Sequence, residues 1–274
     1  MNLSVLHQIN LSFLVYGLFA ASIVLLVYAM FRWSHNRTTH NTQALKRCLA
    51  LFILAGVFSL SWISLHTERP QADLSVTQLE EIPVYEGTPY TIVNSNQPFF
   101  TEEEKKRDSF VFFSELDELG RCSYAMGMLD RSMMPEEERG EIETVKPSGY
   151  HNAYYEGVIE DGFLYNRCHL IGFQFTGENA NEKNLITGTR YMNVEGMEPF
   201  ENEAAYYLRR TKNHLLLRVT PVFVNDELVC RGVLIEAYSV EDHGQEISFC
   251  VFCHNVQPGI EIDYQTGYST PAKQ

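Results

Sequence analysis

Basic residues are scarce over most of this 274-residue chain. Residues 1–70 contain five Lys or Arg and one Glu, which leaves 16 basic and 34 acidic residues in 71–274. Sequence-independent binding to nucleic acid depends on neutralising phosphates with Lys and Arg. The shortage argues against tight nucleic-acid binding through a broad basic surface. Such binding would need a local concentration of cations or a bound divalent metal.

Internal repeats and low-complexity tracts are also absent. The chain is 45% hydrophobic and 12% aromatic, which argues against disorder and is sufficient for a substantial core. Its length suits one large domain with an appendage.

Charged residues are missing from two N-terminal stretches, Leu11–Phe31 and Cys48–Leu65. At about 1.5 Å per residue, such helices would be roughly 27–32 Å long, which matches a hydrocarbon core of about 30 Å. No Lys or Arg precedes the first stretch and no small-residue cleavage site follows it, which argues against a cleaved signal peptide. We therefore predict a transmembrane helical hairpin in residues 1–66, with two buried soluble helices as the alternative.

The loop between these stretches contains Arg32, Arg37, Lys46 and Arg47 and no acidic residue. Because positively charged loops remain on the cytoplasmic side, both termini are predicted to lie outside. The expected location is the cell membrane, with two passes through the lipid bilayer and the large C-terminal domain on the extracytoplasmic face. Residues 67–86 are polar and are predicted to be a linker.

One short region has the composition of a catalytic site. It combines a base that titrates near neutral pH, a fixed cation and several oxygen ligands for a hard metal. These groups together suit metal-assisted cleavage of a phosphodiester. The residues are Arg167, His169, Asn184, Asn193 and Glu201.

Hydrophobic patterning places this region on a strand, a second strand and a helix. Strand-like residues lead into His169, Asn184–Arg190 predicts the second strand, and Pro199–Arg210 predicts the helix. The sequence beyond them predicts an α+β fold with a mixed or antiparallel sheet rather than a doubly wound α/β fold. The further predicted strands are Leu215–Val224, Leu228–Val240, Ile247–Val256 and Ile260–Tyr264.

Two arginines, Arg131 and Arg139, are notable cations in this acidic part of the chain. Either could hold phosphate oxygens, since a guanidinium binds them through two nitrogens. The neighbouring run Glu136–Glu138 favours an ordinary ion pair as the simpler interpretation.

The segment Tyr165–Gly172, which reads YNRCHLIG, resembles the Asp-Arg-Gly-His signature of the DNA/RNA non-specific endonucleases, a ββα-metal family. Membrane-associated DNA-entry nucleases are the members that it resembles in particular. Asn184 and Asn193 follow in the family's order, and three further blocks support the resemblance across residues 83–268. The resemblance implies a ββα-metal nuclease core with flanking helices in residues 87–270. The supporting blocks are Lys146–Tyr150, Asn255–Gly259 and Asp263–Gly267.

The resemblance also implies a role for each candidate residue. His169 would be the general base, Asn193 the direct ligand of Mg²⁺ and Arg167 a cation near the phosphate. Asn184 would support the site, and Glu201 would hold water molecules of the metal. Mn²⁺ is a candidate substitute for Mg²⁺, and DNA is the implied substrate, with RNA as an open alternative. Asn193 could instead cap the following helix, which is a common use of Asn.

Two residues depart from the signature. Asn166 stands where the family usually has Asp, and Cys168 stands where it has Gly. The first change replaces a carboxylate with a neutral amide, and the second removes the freedom of Gly to adopt a positive φ. These two changes therefore affect the local geometry around Arg167 and His169, and the arginine and the histidine themselves match the signature.

The cysteines suggest other functions. Cys250, Cys253 and His254 fit C-x-x-C-H, the pattern of covalent c-type haem attachment in an electron-transfer protein. The pattern lies on a predicted strand, where positions 250 and 253 face opposite sides. A nucleophilic Cys168 paired with His169 is a further hydrolase alternative, although adjacent strand residues point apart. A Cys122–Cys168 disulfide would be compatible with an extracytoplasmic location. A catalytically silent receptor for nucleic-acid uptake also remains open.

Overall fold

The computed structural model describes residues 23–36, 38, 42–50, 52–53 and 84–273. The chain divides into two compact units, Met1–Gln71 and Ala72–Gln274. In the first unit, residues 23–35, 42–50 and 52–53 are helical. No helix within the described ranges is both long enough and apolar enough to cross a membrane. The predicted spans at 11–31 and 48–65 extend outside the described residues, as does most of the predicted linker, so the hairpin stays a prediction.

The second unit is built on an antiparallel sheet of six strands, and its elements are numbered here in chain order. Two short ribbons accompany the sheet, one formed by β4 and β5 and the other by β9 and β10. The sheet has the strand order β1-β8-β7-β6-β3-β2, and every pair of neighbours is antiparallel. The strands are β1 (Tyr90–Ile92), β2 (Phe110–Phe113), β3 (Ala125–Leu129), β4 (Tyr165–His169), β5 (Leu185–Thr189), β6 (Leu215–Val222), β7 (Gly232–Ser239), β8 (Ser248–His254), β9 (Ile260–Ile262) and β10 (Ser269–Pro271).

The predicted hairpin at 215–240 is confirmed, because β6 pairs with β7 along its whole length. The strand predicted at 247–256 is also confirmed as β8. The strand predicted at 260–264 is shorter, and it pairs with β10 instead of joining the main sheet. Among the described strands the sheet is purely antiparallel, so the mixed arrangement that the sequence left open is not adopted.

Alternating side chains give the main sheet two apolar faces. On one face, Leu217, Val233 and Val251 belong to the largest buried cluster, which also includes Ala204 and Leu208 of a helix. On the other face, Met126, Met128 and Leu216 form a separate cluster with Phe100. The sheet is therefore covered on both sides. The helix that contains Ala204 and Leu208 lies on the same side as the β4–β5 ribbon.

The predicted order of strand, strand and helix is confirmed in this region. β4 pairs with β5 so that His169 is opposite Leu185, and short helix α1 (Phe173–Thr176) follows β4. After β5 the chain forms a π-helix, Met192–Met197, which continues directly into α2 (Glu198–Arg210). Glu198 and Glu201 occupy the first turn of α2, and two arginines occupy the last, an arrangement that the helix dipole favours.

The cysteines of this unit do not support the alternatives that they suggested. All five are free and buried, so the predicted Cys122–Cys168 disulfide is wrong; the Cys122 thiol instead lies 3.4 Å from the carbonyl oxygens of Glu182 and Leu185. Cys250 and Cys253 belong to separate apolar clusters on opposite faces of β8, so the two thiols cannot both reach one haem.

Candidate active site

Most of the candidate site residues line a cleft of about 630 Å³ beside the β4–β5 ribbon. Its walls come from β4, the loop at 139–152, the start of α1, and the π-helix with the first turn of α2. Arg167, His169, Asn193 and Glu201 all line the cleft, so the fold brings together four of the five predicted residues. Asn184 is absent from this lining.

His169 is the last residue of β4 and is 6% exposed. Its Nε2 lies 2.8 Å from the carbonyl oxygen of Asn179. Because a carbonyl can only accept, Nε2 carries the proton of the neutral ring and Nδ1 keeps its lone pair. Burial lowers the pKa of His169, and the nearby Arg139 charge lowers it further, while the bond to Asn179 opposes the shift. The imidazole is therefore neutral at neutral pH, and its basic nitrogen is Nδ1.

Arg139 does not form the ion pair that its neighbours Glu136–Glu138 suggested. Among the described carboxylates none lies within 4.0 Å of its guanidinium. Arg139 lines the cleft instead, and its Nη2 is 3.4 Å from Nδ1 of His169. The cation that the sequence favoured as an ordinary surface partner is thus next to the candidate base.

Arg167 anchors one wall of the cleft. Its Nε donates to the carbonyl of Val145 at 2.6 Å and its Nη2 to that of Glu143 at 3.1 Å. Its Nη1 is 3.2 Å from the hydroxyl of Tyr150, and the guanidinium lies 4.4 Å from the centre of that ring. Arg167 therefore contributes positive charge to the cleft while holding residues 143–150 in place.

Asn193 lies in the first turn of the π-helix and is partly exposed. Its carbonyl accepts from the N–H of Glu198, but its side-chain amide forms no hydrogen bond with any described residue. The alternative that Asn193 caps the following helix is therefore wrong. Wide turns of this kind occur often at functional sites, because they redirect side chains within a helix.

The chain after β8 holds this wide turn in position. Asn255 is fully buried; its Oδ1 accepts from the N–H of Thr189 at 2.8 Å, and its Nδ2 donates to the carbonyl of Cys230 at 2.9 Å. The Thr189 hydroxyl accepts from the N–H of Met192 at 3.0 Å, and Gln257 accepts from the N–H of Tyr191 at 3.1 Å. The block at 255–257 therefore fixes the point from which Asn193 projects.

Glu201 lies one turn into α2, with its carboxylate beside Gly172. A Cβ on Gly172 would come within 3.2 Å of Glu201 Oε2, so this glycine leaves room for the acid. Burial, together with the charge of Glu198, raises the pKa of Glu201 to about 7, and Arg139 opposes the shift. Glu201 forms no hydrogen bond or ion pair with the described residues, so its negative charge is not compensated by a partner.

Comparisons with known proteins agree with this geometry. Residues 102–241, just over half of the chain, match the family described as DNA/RNA non-specific endonuclease. The chain belongs to the DNA/RNA non-specific endonuclease family.

Solved structures of similar fold include NucA from Streptococcus agalactiae. The form with magnesium ion bound is 24% identical, with a TM-score of 0.58 over 68% of this chain and 91% of that chain. The form with no metal bound is 23% identical, with a TM-score of 0.59 over 73% and 99%. Sda1 nuclease with bound zinc ion is 22% identical, with a TM-score of 0.55 over 71% and 99%. At these identities the likeness shows the fold, and the family membership makes the chain a nuclease of a metal-dependent group.

The two departures from the endonuclease signature are accommodated. Cys168 has an ordinary negative φ, so Gly is not required at this position for backbone reasons. Its thiol fits against Gly188, where a Cβ would lie only 2.3 Å from the sulfur. Burial raises the pKa of the Cys168 thiol well above its usual value, so a thiolate nucleophile is unsupported. Asn166 lines the cleft as a neutral amide.

Asn184 has a structural position in this endonuclease fold. It is fully buried and forms two 2.9 Å hydrogen bonds with the backbone of Ile171, one in each direction. These bonds tie the start of β5 to the chain just beyond His169. Asn184 is thus placed to support the segment that carries His169 and does not face the cleft.

The cleft could hold a hard metal ion with few protein ligands. Within the described ranges no group of three or more His, Cys, Asp or Glu could form a metal cage. Mg²⁺ keeps several waters and needs only one or two protein oxygens, which the free amide of Asn193 and the uncompensated carboxylate of Glu201 can provide. The donor set therefore fits a hydrated, hard cation.

Proposed function

We propose that this chain is a membrane-anchored, extracytoplasmic endonuclease that cleaves DNA without sequence specificity and uses Mg²⁺, with RNA as a second candidate substrate. The observation that carries the catalytic part is the position of His169, which keeps Nδ1 basic on a cleft shared with Asn193 and Glu201. The uncharged stretches at 11–31 and 48–65 support the membrane anchor.

His169 acts as the general base at Nδ1. The Asn179 carbonyl orients the ring through Nε2–H, and this bond stabilises the imidazolium that forms when Nδ1 accepts a proton from water. Arg139 is close enough to bind a phosphate oxygen that enters beside His169. When the guanidinium turns to the phosphate, it leaves the Nδ1 lone pair free for the water.

Asn193 and Glu201 provide the oxygen atoms for the metal, and Glu201 acts through water molecules. When bound, the ion would act as a Lewis acid on the phosphate and the leaving oxygen. A neutral Asn ligand leaves the positive charge of the ion largely uncompensated. The shortage of basic residues in 71–274 makes this charge important for binding a polyanion.

The test uses the full chain with supercoiled plasmid and with RNA, in Mg²⁺ or in chelator. We expect metal-dependent degradation, and His169→Ala should reduce the rate about 100- to 10,000-fold, as expected for the loss of a general base. Normal cleavage by this variant would contradict the mechanism. Binding without cleavage by the wild-type chain would favour the uptake receptor.

Protease treatment of intact cells tests the membrane topology. We expect the C-terminal domain to be digested from outside, because the positive loop at 32–47 is predicted to remain in the cytoplasm. Protection of the domain in intact cells, with digestion after lysis, would contradict the extracytoplasmic placement.

A further inference from the structure

We propose that Phe163 and Tyr154 form a stacking site for an unpaired nucleobase of the substrate, next to the catalytic cleft. This inference rests on the proposed nuclease function and adds to it a preference for single-stranded nucleic acid. Phe163 is 53% exposed and lines the cleft, and Tyr154 is 59% exposed beside it. Two adjacent exposed rings at the edge of a cleft form an apolar patch of the kind that lines ligand-binding grooves.

The two rings are held by the backbone. Tyr154 and Phe163 form an isolated antiparallel bridge, with flanking hydrogen bonds from Tyr155 N–H to Gly162 O at 2.7 Å and from Leu164 N–H to Ala153 O at 2.9 Å. Their ring centres are 5.2 Å apart at 73°, an edge-to-face pair. The pair is therefore a preformed surface that would require little ordering when it binds a ligand.

Gly162 makes this arrangement possible. Its φ is +78°, and a Cβ at this position would lie 2.1 Å from the ring of Tyr154. Any other residue would suffer both backbone strain and a clash with that ring. The tight turn thus lets Tyr154 lie against the backbone while Phe163 faces the cleft.

The charges around the rings are compatible with a polyanion. Of the three acids between the two rings, Glu160 and Asp161 are paired with Arg190 at 3.3 and 2.5 Å, whereas Glu156 is exposed and has no ion pair among the described residues. On the cleft side, Phe163 shares the wall with Arg167, which provides a cation for the phosphate backbone. A base stacked on Phe163 would therefore be attached to a backbone that runs toward His169.

A nucleobase is the ligand that these features favour. Aromatic side chains stack on all four bases, so such a site suits an enzyme without sequence specificity. Stacking also provides affinity without basic residues, which this domain lacks. Because both faces of a base inside a duplex are covered by its stacked neighbours, the site selects single strands or frayed ends over intact duplex.

The test measures binding in Mg²⁺ with the full chain carrying His169→Ala, which removes the proposed base and keeps the metal ligands. The probes are a fluorescein-labelled single-stranded DNA, the same strand with abasic residues, and the duplex, followed by fluorescence anisotropy. We expect the single strand to bind more tightly than the other two. Adding Phe163→Ala should weaken its binding about tenfold and change abasic binding less than about twofold.

Phe163→Tyr should keep the binding and Phe163→Leu should lose it, because only the first retains a ring. Tyr206→Ala is the matched control, since Tyr206 is 64% exposed on α2 and is outside the cleft lining. Equal affinity for the normal and abasic strands, or unchanged binding in both Phe163→Ala and Phe163→Leu, would overturn the inference. Cleavage of the probes by the His169→Ala parent would instead overturn the proposed mechanism, and base stacking would then be measured with the same probes and variants in chelator.

Discussion

Two regions of the nuclease domain differ in how their charged groups are paired: Arg218 and Glu236 are buried and bonded to each other, whereas Arg139 is exposed, Glu201 is partly buried, and neither forms an ion pair within the described ranges. On the sheet face that carries Met126 and Leu216, Arg218 binds Glu236 through two hydrogen bonds of 2.7 and 2.9 Å and binds Glu104 at 3.2 Å. The N–H of Phe99 adds a further 2.8 Å bond to Glu236. In the cleft, Glu201 and Arg139 have no ion-pair partner among the described residues. The first region satisfies every charge and is structural, whereas the second retains binding capacity for a ligand.

The largest stability effect is expected where the charges are satisfied. Arg218→Met would leave the carboxylate of Glu236 buried without its partner, which should lower the free energy of unfolding by about 3–5 kcal/mol. The specific activity of the remaining folded protein should stay within about twofold. Denaturant titration and plasmid cleavage measure the two quantities. A loss of less than about 1 kcal/mol would show that the bonds between Arg218 and Glu236 contribute little to the stability of the fold.

Glu201→Gln, in contrast, should raise the free energy of unfolding. The folded-state pKa is about 7, above the usual value of 4.5, so ionisation opposes folding and stability is lost as pH rises through this window. In chelator at pH 8, the variant should therefore be more stable than the wild type by roughly 1–3 kcal/mol. The gain should disappear as the pH falls below 4.5, where the acid becomes protonated in both the folded and the unfolded state.

The same Glu201→Gln variant should lose metal-dependent cleavage, because a neutral amide holds metal-bound water less strongly. Mg²⁺ should raise the melting temperature of the wild type more than that of the variant. Glu203→Gln, an exposed residue of the same helix, is the matched control and should behave like the wild type. Equal stability of Glu201→Gln and the wild type in chelator at pH 8 would contradict an uncompensated carboxylate.

The smallest effect concerns pH. Arg139 lowers the pKa of His169, so Arg139→Met should raise it and move the acidic limb of the rate profile to higher pH, by about one unit or less. The limb moves to higher pH because only the neutral imidazole can accept a proton, and a higher pKa keeps the ring protonated up to a higher pH. Arg131→Met, outside the cleft lining, should leave the limb unchanged. An acidic limb that moves to lower pH in Arg139→Met would show that the two groups are not coupled as inferred.

Sequence patterns predicted many of the strands and the main helix of this domain, because each pattern depends only on residues close together in the chain. Alternating apolar residues identified the β6–β7 hairpin and β8, and the helical pattern after Pro199 identified α2 to within one residue. Thr101 and Glu104 have the spacing of a capping box and form its two hydrogen bonds, although the helix that follows is only the 3₁₀ turn Glu104–Lys106. Capping chemistry depends on neighbouring residues, whereas helix length depends on the surface that the helix can bury.

Long-range packing decided the parts that the sequence left open or predicted wrongly. Arg139 reaches His169 across 30 positions of the chain, so its neighbours Glu136–Glu138 could not reveal its partner. The fate of Cys122 and Cys168 depended on which elements pack around each thiol. The contact between Phe163 and Tyr154 could not be predicted from the sequence, because it depends on the backbone turn at Gly162 that brings the two residues together.

The sequence by itself determined the order of strand, strand and helix, because periodicity is local, and its resemblance to the family singled out His169, Asn193 and Glu201 as candidate site residues. Only the tertiary structure decided which nitrogen of His169 is basic, why the pKa of Glu201 is raised, and which arginine lies beside the base. These properties depend on burial and on groups brought together from distant segments, and no local pattern records either.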